Sequence, residues 1–197
     1  MLKIIGHGRD RTIMRTKVIL EDVWMSKMTP KKFVEWLNPA AQAIDVSPVF
    51  IMAQAALESG WGGSTIGKYN IFGITRGGWP ADKCLLVTTT EYFKTKGVKY
   101  NSPECVISIK YVPEKKLYRY VCRRLFRNYG SLSEALNDHA KVLRASFPDA
   151  WPYRMSPEVF VEKIQSGKKK YATSPTYVQT MKKMFAMIRK AQKEVKG

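Results

Sequence analysis

The chain has 197 residues, 45% of them hydrophobic, and a formal net charge of +18 at pH 7. That length suits one domain with a sizeable core, and that apolar content excludes a disordered chain. The charge points to a polyanionic partner: nucleic acid, an acidic membrane surface or the bacterial envelope.

In chain order, residues 1–28 read as an irregular lead with a short strand or helix at Thr16–Trp24. Charges recur every few positions in it, so it lacks the apolar run of an export signal. No stretch approaches the ~20 apolar residues of a membrane span. Thr29-Pro30 is a cap followed by a helix-starting proline. Phe33, Trp36, Leu37, Ala40 and Ile44 then recur at helical spacing, which predicts an amphipathic helix over Pro30–Ile44, bent near Pro39. Ser47-Pro48 repeats the signal. The helix it starts, Pro48–Ser59, is apolar on nearly every face and is therefore predicted to be central. Only Gln54 and Glu58 interrupt it, one turn apart on one side. Gly60 ends it.

Gly60–Gly78 is a loop rich in glycine and aromatics. β-Branched and aromatic runs predict strands at Leu85–Phe93, Val106–Val112 and Tyr118–Phe126, separated by turn signals. They form a small antiparallel sheet or long hairpin inserted into a helical protein. Ser131 and Glu134 make a capping box before a helix with Leu132, Leu136, His139 and Leu143 on one face. Ser156-Pro157 opens a helix facing inward with Val159, Phe160 and Ile164. Ser174-Pro175 opens the last, with Tyr177, Met181, Met184, Phe185, Ile188 and Val195 inside. Residues 168–197 carry nine Lys or Arg and one Glu, and Lys168-Lys169-Lys170 reads as a solvated, envelope-attracted patch. One domain, residues 29–197, follows the lead.

Three cysteines, Cys84, Cys105 and Cys122, have no metal-ligand spacing. Their odd number argues for reduced thiols, though a pair near the strands could bridge. With only His7 and His139, no metal and no cofactor is expected. His139 reads as a partly buried structural histidine. Glu58 is the candidate for chemistry. Glycoside cleavage needs a proton donor that stays protonated near neutral pH, and burial raises a carboxyl pKa. Glu58 has a buried helix behind it, and Trp61 and the glycine loop in front. The residues alone leave open a glutamate that simply meets solvent or a lysine.

Ala53-Gln54-Ala55-Ala56-Leu57-Glu58-Ser59-Gly60-Trp61-Gly62 resembles the catalytic signature of the family 73 glycoside hydrolases, flagellum-type endo-β-N-acetylglucosaminidases of peptidoglycan. Asn70-Ile71-Phe72-Gly73-Ile74, Thr89-Thr90-Glu91-Tyr92, Phe126-Arg127-Asn128-Tyr129 and Tyr171-Ala172-Thr173-Ser174-Pro175-Thr176-Tyr177 resemble further family motifs, in the family's order, over roughly residues 30–192. The resemblance implies an α+β, mainly α fold: a lysozyme-like helical domain with a small antiparallel β-hairpin lobe. It implies Glu58 as general acid, Glu91 as second acid and Tyr177 as support for the reacting centre. Asn70 and Phe72 match groove residues. Gln54, Trp61, Tyr69, Trp79 and Tyr129 are expected to bind substrate too, the aromatic ones because sugar faces pack on rings. Thr75 stands where the family commonly has lysine, and the segment from Glu91 to Phe126 looks longer than usual.

The implied substrate is the peptidoglycan glycan strand, cut at the β-1,4 bond between N-acetylglucosamine and N-acetylmuramic acid. A retaining, an inverting or a substrate-assisted route would each serve. The rivals are a muramidase or lytic transglycosylase, and a non-catalytic basic module for wall polymer or nucleic acid. The expected setting is a monomer made in the cytoplasm without a signal peptide and delivered to the wall as a phage lysin or virion-associated hydrolase. No nucleic acid partner is expected.

Overall fold

The computed structural model describes residues 26–167 and 169–197. The element expected at Thr16–Trp24 lies outside the described residues, as does Lys168. Five helices and a three-stranded sheet make up the described fold, α+β and mainly α.

Helix α1 spans Pro30–Gln42, with the Thr29 side chain accepting from the Lys32 N–H at 3.4 Å. It ends two residues before the expected Ile44. Helix α2 spans Pro48–Ser59, capped by Ser47. Phe50 to Ala56 are all buried in it, as its continuous apolar run requires. Helices α3 (Leu132–Ser146), α4 (Pro157–Ser166) and α5 (Tyr177–Lys196) surround it. Their inner faces largely follow the periodicity. In α4, however, Val161 is buried and Val159 exposed, and in α5 Ala191 rather than Val195 completes the stripe. In both cases the true face is rotated slightly from the one read off the sequence.

Strands β1 (Cys84–Phe93), β2 (Cys105–Val112) and β3 (Leu117–Arg127) form an antiparallel sheet in the order β1-β3-β2. The hairpin is β2–β3, and β1 pairs along the other edge of β3. The chain must therefore cross from one edge of the sheet to the other between Phe93 and Cys105. Val98 and Tyr100 of that crossing pack over Phe93, Tyr120 and Cys122. Pairing puts Glu91 opposite Tyr120 and Val87 opposite Arg124, so all four share this covered face.

Asn70 ties the two lobes together. Its amide donates to the carbonyls of Ile74 (3.0 Å) and Arg127 (2.8 Å), and its oxygen accepts from the Ile74 N–H at 2.9 Å. Cys84, Cys105 and Cys122 are all free thiols.

Candidate active site

Helix α2 delivers Glu58 to the rim of the helical core. The turn behind it is tight: Gly60, Trp61 and Gly62 all have positive φ. Trp61, at φ 62°, is the costly member, because its Cβ crowds the backbone in the left-handed region. Three contacts hold it there. Its N–H donates to the Ala56 carbonyl at 2.8 Å, its carbonyl accepts from Met28, and its ring meets Phe33 edge-on at 5.4 Å. The Ser59 hydroxyl locks the same turn by donating to the Ala55 carbonyl and accepting from the Gly62 N–H.

Glu58 keeps part of its residue surface, but its Oε2 is buried without a hydrogen-bond partner among the described residues. Its Oε1 accepts from the Tyr171 hydroxyl at 3.2 Å. Burial raises its pKa well above the ordinary carboxyl value, and the Tyr171 hydrogen bond offsets only part of this. No cation pairs with Glu58 among the described residues. The setting favours the protonated, uncharged form of the carboxyl.

Around it lies a chain of uncharged groups. Tyr171 stacks on Tyr177, with centroids 5.3 Å apart and planes at 27°. The Tyr177 hydroxyl accepts from Gln54 Nε2 at 2.9 Å, and Gln54 Oε1 lies 2.8 Å from His139 Nε2. His139 stacks on Phe72 at 3.8 Å. Burial raises the pKa of both tyrosines, and the nearness of Glu58 adds to it. Burial pushes His139 down to about 3, so the imidazole is neutral.

Glu91 has a different setting. It is buried, with Oε1 accepting from Arg124 at 2.7 Å and Oε2 from the Tyr100 hydroxyl at 3.3 Å. Glu104 takes the Nε of the same arginine at 2.8 Å. Burial alone would lower the Arg124 pKa, but Glu91 and its neighbours more than offset that and keep it charged. No hydrogen bond or ion pair joins Glu91 to the Glu58 cluster among the described residues. A cleft of about 700 Å³ between α3 and the sheet, lined in part by Arg76, Lys99, Glu104 and Arg124, adjoins this ion pair and does not include Glu58.

The family model for mannosyl-glycoprotein endo-β-N-acetylglucosaminidases, the glucosaminidases, matches residues 34–190. The chain belongs to this family. It is 30% identical to an autolysin of Enterococcus faecalis over 164 residues, covering 76% of this chain and 19% of the autolysin. It is 30% identical to the peptidoglycan hydrolase FlgJ of Pseudomonas aeruginosa over 146 residues, covering 70% of this chain and 30% of FlgJ. It thus spans less than a third of either relative. Among solved structures, the glycoside hydrolase domain of Salmonella typhimurium FlgJ superposes with a TM-score of 0.55 at 25% identity, over 86% of this chain and 94% of that domain. The lysozyme-like fold is shared.

Within this glucosaminidase fold, several of the expected groove residues are buried. Gln54 is fully buried and both ends of its amide are used. Asn70 is buried and spends its amide on the lobe joint. Phe72 is buried under His139. Tyr129 is buried, and its hydroxyl donates to Asp138 at 2.6 Å; burial, then that carboxylate, raises its pKa. Trp61, Tyr69 and Trp79 keep partly exposed rings. Lys68 lies over Tyr69, and Arg127 over Trp79. Sequence reasoning quoted Tyr171 only within a motif, yet Tyr171 is the residue that touches Glu58. Its signal was its place six residues before Tyr177, at the mouth of the last helix.

Proposed function

We propose that the chain hydrolyses the β-1,4 bond between N-acetylglucosamine and N-acetylmuramic acid in peptidoglycan, with Glu58 as general acid. The carrying observation is the buried, cation-free carboxyl with one unpartnered oxygen. Such a group stays protonated near neutral pH and can give its proton to a leaving glycosidic oxygen. Family membership and the peptidoglycan hydrolases among its relatives supply the substrate class.

Glu91 is held by Arg124 and Tyr100, so the expected second acid is not presented as a free base or nucleophile. This favours the substrate-assisted route among the three. The sugar's own N-acetyl oxygen attacks the anomeric carbon, the C–O bond to the leaving sugar breaks, and that oxygen takes the Glu58 proton. Water then opens the cyclic intermediate and returns a proton to Glu58. Tyr177 supports the acetamido group, and the exposed rings of Trp61, Tyr69 and Trp79 offer sugar platforms.

Mass spectrometry of digested peptidoglycan tests this. Reducing N-acetylglucosamine ends support it, and reducing muramic or anhydro-muramic ends would establish the muramidase or transglycosylase instead. Wall binding without new ends in the wild-type protein would establish the non-catalytic module.

Envelope attraction belongs to the same proposal. Residues 94–127 hold ten Lys or Arg against two Glu, and Lys110, Arg119 and Arg123 are exposed on the sheet. Sedimentation with walls should weaken steeply from low to high salt, and a salt-independent affinity would exclude it. The acting form is proposed as a monomer that needs no nucleic acid and is delivered by a phage, as lysin or virion component. Proteomics of virions and phage lysates checks that placement.

A further inference from the structure

The Tyr177 hydroxyl has two hydrogen-bonding roles, and only one is filled. It accepts from Gln54 Nε2, and nothing among the described residues accepts its proton. Which role is filled depends on the way the Gln54 amide faces. An amide offers a donor end and an acceptor end, and a buried one must match both neighbours. One neighbour is Tyr177 and the other is His139.

The imidazole decides between the two orientations. Its Nδ1 is buried with no hydrogen-bond partner among the described residues, and its Nε2 faces Gln54. A neutral ring carries one proton. On Nδ1 that proton would be an orphaned buried N–H, which proteins avoid more strictly than an unused lone pair. On Nε2 it is satisfied by Gln54 Oε1. The amide nitrogen must then point at Tyr177, which must accept. Turning the ring over by 180° would keep its stack on Phe72 but put a ring carbon in the place of Nε2, and the contact with Gln54 would be lost.

We propose that His139 and Gln54 are positioning residues that fix the Tyr177 hydroxyl as an acceptor on its inner side, so that its proton is aimed outward at the N-acetyl oxygen of the reacting sugar. Neither touches substrate; both act through Tyr177. This rests on the reading of Tyr177 given above. With the opposite tautomer the amide would flip, and Tyr177 would spend its proton on Gln54 Oε1 instead.

The first test uses the wild-type protein. The chain has two histidines, His7 and His139, so nitrogen-15 histidine spectra are assignable with a His7→Gln variant. His139 should show a proton on Nε2 and no titration from about pH 5 to 8. A proton on Nδ1, or a midpoint in that range, overturns the proposal, whatever any variant does. The second test is kinetic, on soluble glycan fragments. His139→Phe keeps the stack and removes the donor, and kcat should fall roughly tenfold or more with KM within about twofold. His139→Gln, which restores an N–H near the Nε2 position, should recover most of it. In a Tyr177→Phe background, His139→Phe should add nothing. Losses that multiply there overturn positioning through Tyr177. Loss of activity in Tyr177→Phe combined with an Nδ1 proton would refute the positioning alone, whereas a fully active Tyr177→Phe would refute the reading of the site and the positioning with it.

Discussion

Two glutamates with buried carboxyl oxygens sit in opposite electrical settings. Glu91 meets a guanidinium and a phenol, and the arginine is shared with Glu104. Glu58 meets one phenol, and its other oxygen has no hydrogen-bond partner among the described residues. A buried carboxylate is tolerable only when paired or neutralised. The sheet pairs its acid, and the helical lobe neutralises its own by keeping the proton. The same residue type is thereby a strut in one lobe and a proton reservoir in the other.

The strongest way to sharpen the contrast is Glu58→Gln. Wall lysis should fall by ~100-fold or more, since acid catalysis is typically worth about 10²–10⁴. The same variant should melt higher than wild type at about pH 8 and near wild type at about pH 5. The sign follows from the raised pKa. Between the ordinary carboxyl value and the raised one, folded Glu58 holds a proton that the unfolded chain has released, so stability falls as pH rises through that window. Glutamine has no proton to lose. An activity loss without this pH-dependent gain would mean that Glu58 is not the strained acid described.

Arg124→Met probes the other side. It leaves Glu91 buried without its cation, and urea unfolding should show a loss of about 3–5 kcal/mol. Arg124→Met with Glu91→Leu should restore much of it, because the charge is then gone as well. A cost under about 1 kcal/mol for the single variant would mean that Glu91 is freer than the pairing implies. Asn70→Ala cuts the joint between the lobes. It removes the acceptor of the Ile74 N–H and a donor to the Arg127 carbonyl, while the Ile74 carbonyl keeps the Arg127 N–H, and the expected cost is about 1–3 kcal/mol by the same measurement.

The elements of both lobes were legible because their signals are local. Thr29-Pro30 and Ser47-Pro48 start helices where they stand, and the three strands run within one residue of the spans read from β-branched and aromatic runs. Glu58 was legible for a related reason: a single acid on an all-apolar helix needs an explanation. The partners were not legible. Glu58 meets Tyr171 across 113 positions, Gln54 meets Tyr177 across 123, and Glu91 meets Arg124 across 33. Nothing local distinguishes a glutamine that faces a sugar from one that faces a histidine. Sheet order mattered as well. With β3 in the centre, the crossing segment closes over the face that carries Glu91, whereas a plain hairpin would have left that face open.

The smallest expected effect is the most discriminating. In Glu91→Gln the amide oxygen still accepts from Arg124, and the loss of charge is softened by Glu104, which shares the arginine. If Glu91 is a strut, the variant should lose some stability, while its rate on soluble glycan fragments well below its melting temperature stays within about threefold of wild type. A base or nucleophile would lose about 10²-fold or more. Such a loss, with folding intact, would require the Arg124 pair to open during turnover and release Glu91. The inverting or retaining route would then replace substrate assistance, and the contrast between the two acids would hold only for the resting enzyme. The anomer of the first-formed product, read by proton NMR on the wild-type protein, separates those two routes, and azide added to Glu91→Gln tests whether Glu91 acts at all. Rescue of the rate with formation of a glycosyl azide marks a Glu91 that works on the reacting sugar, and an unchanged small effect leaves Glu58 as the one carboxyl the chemistry uses.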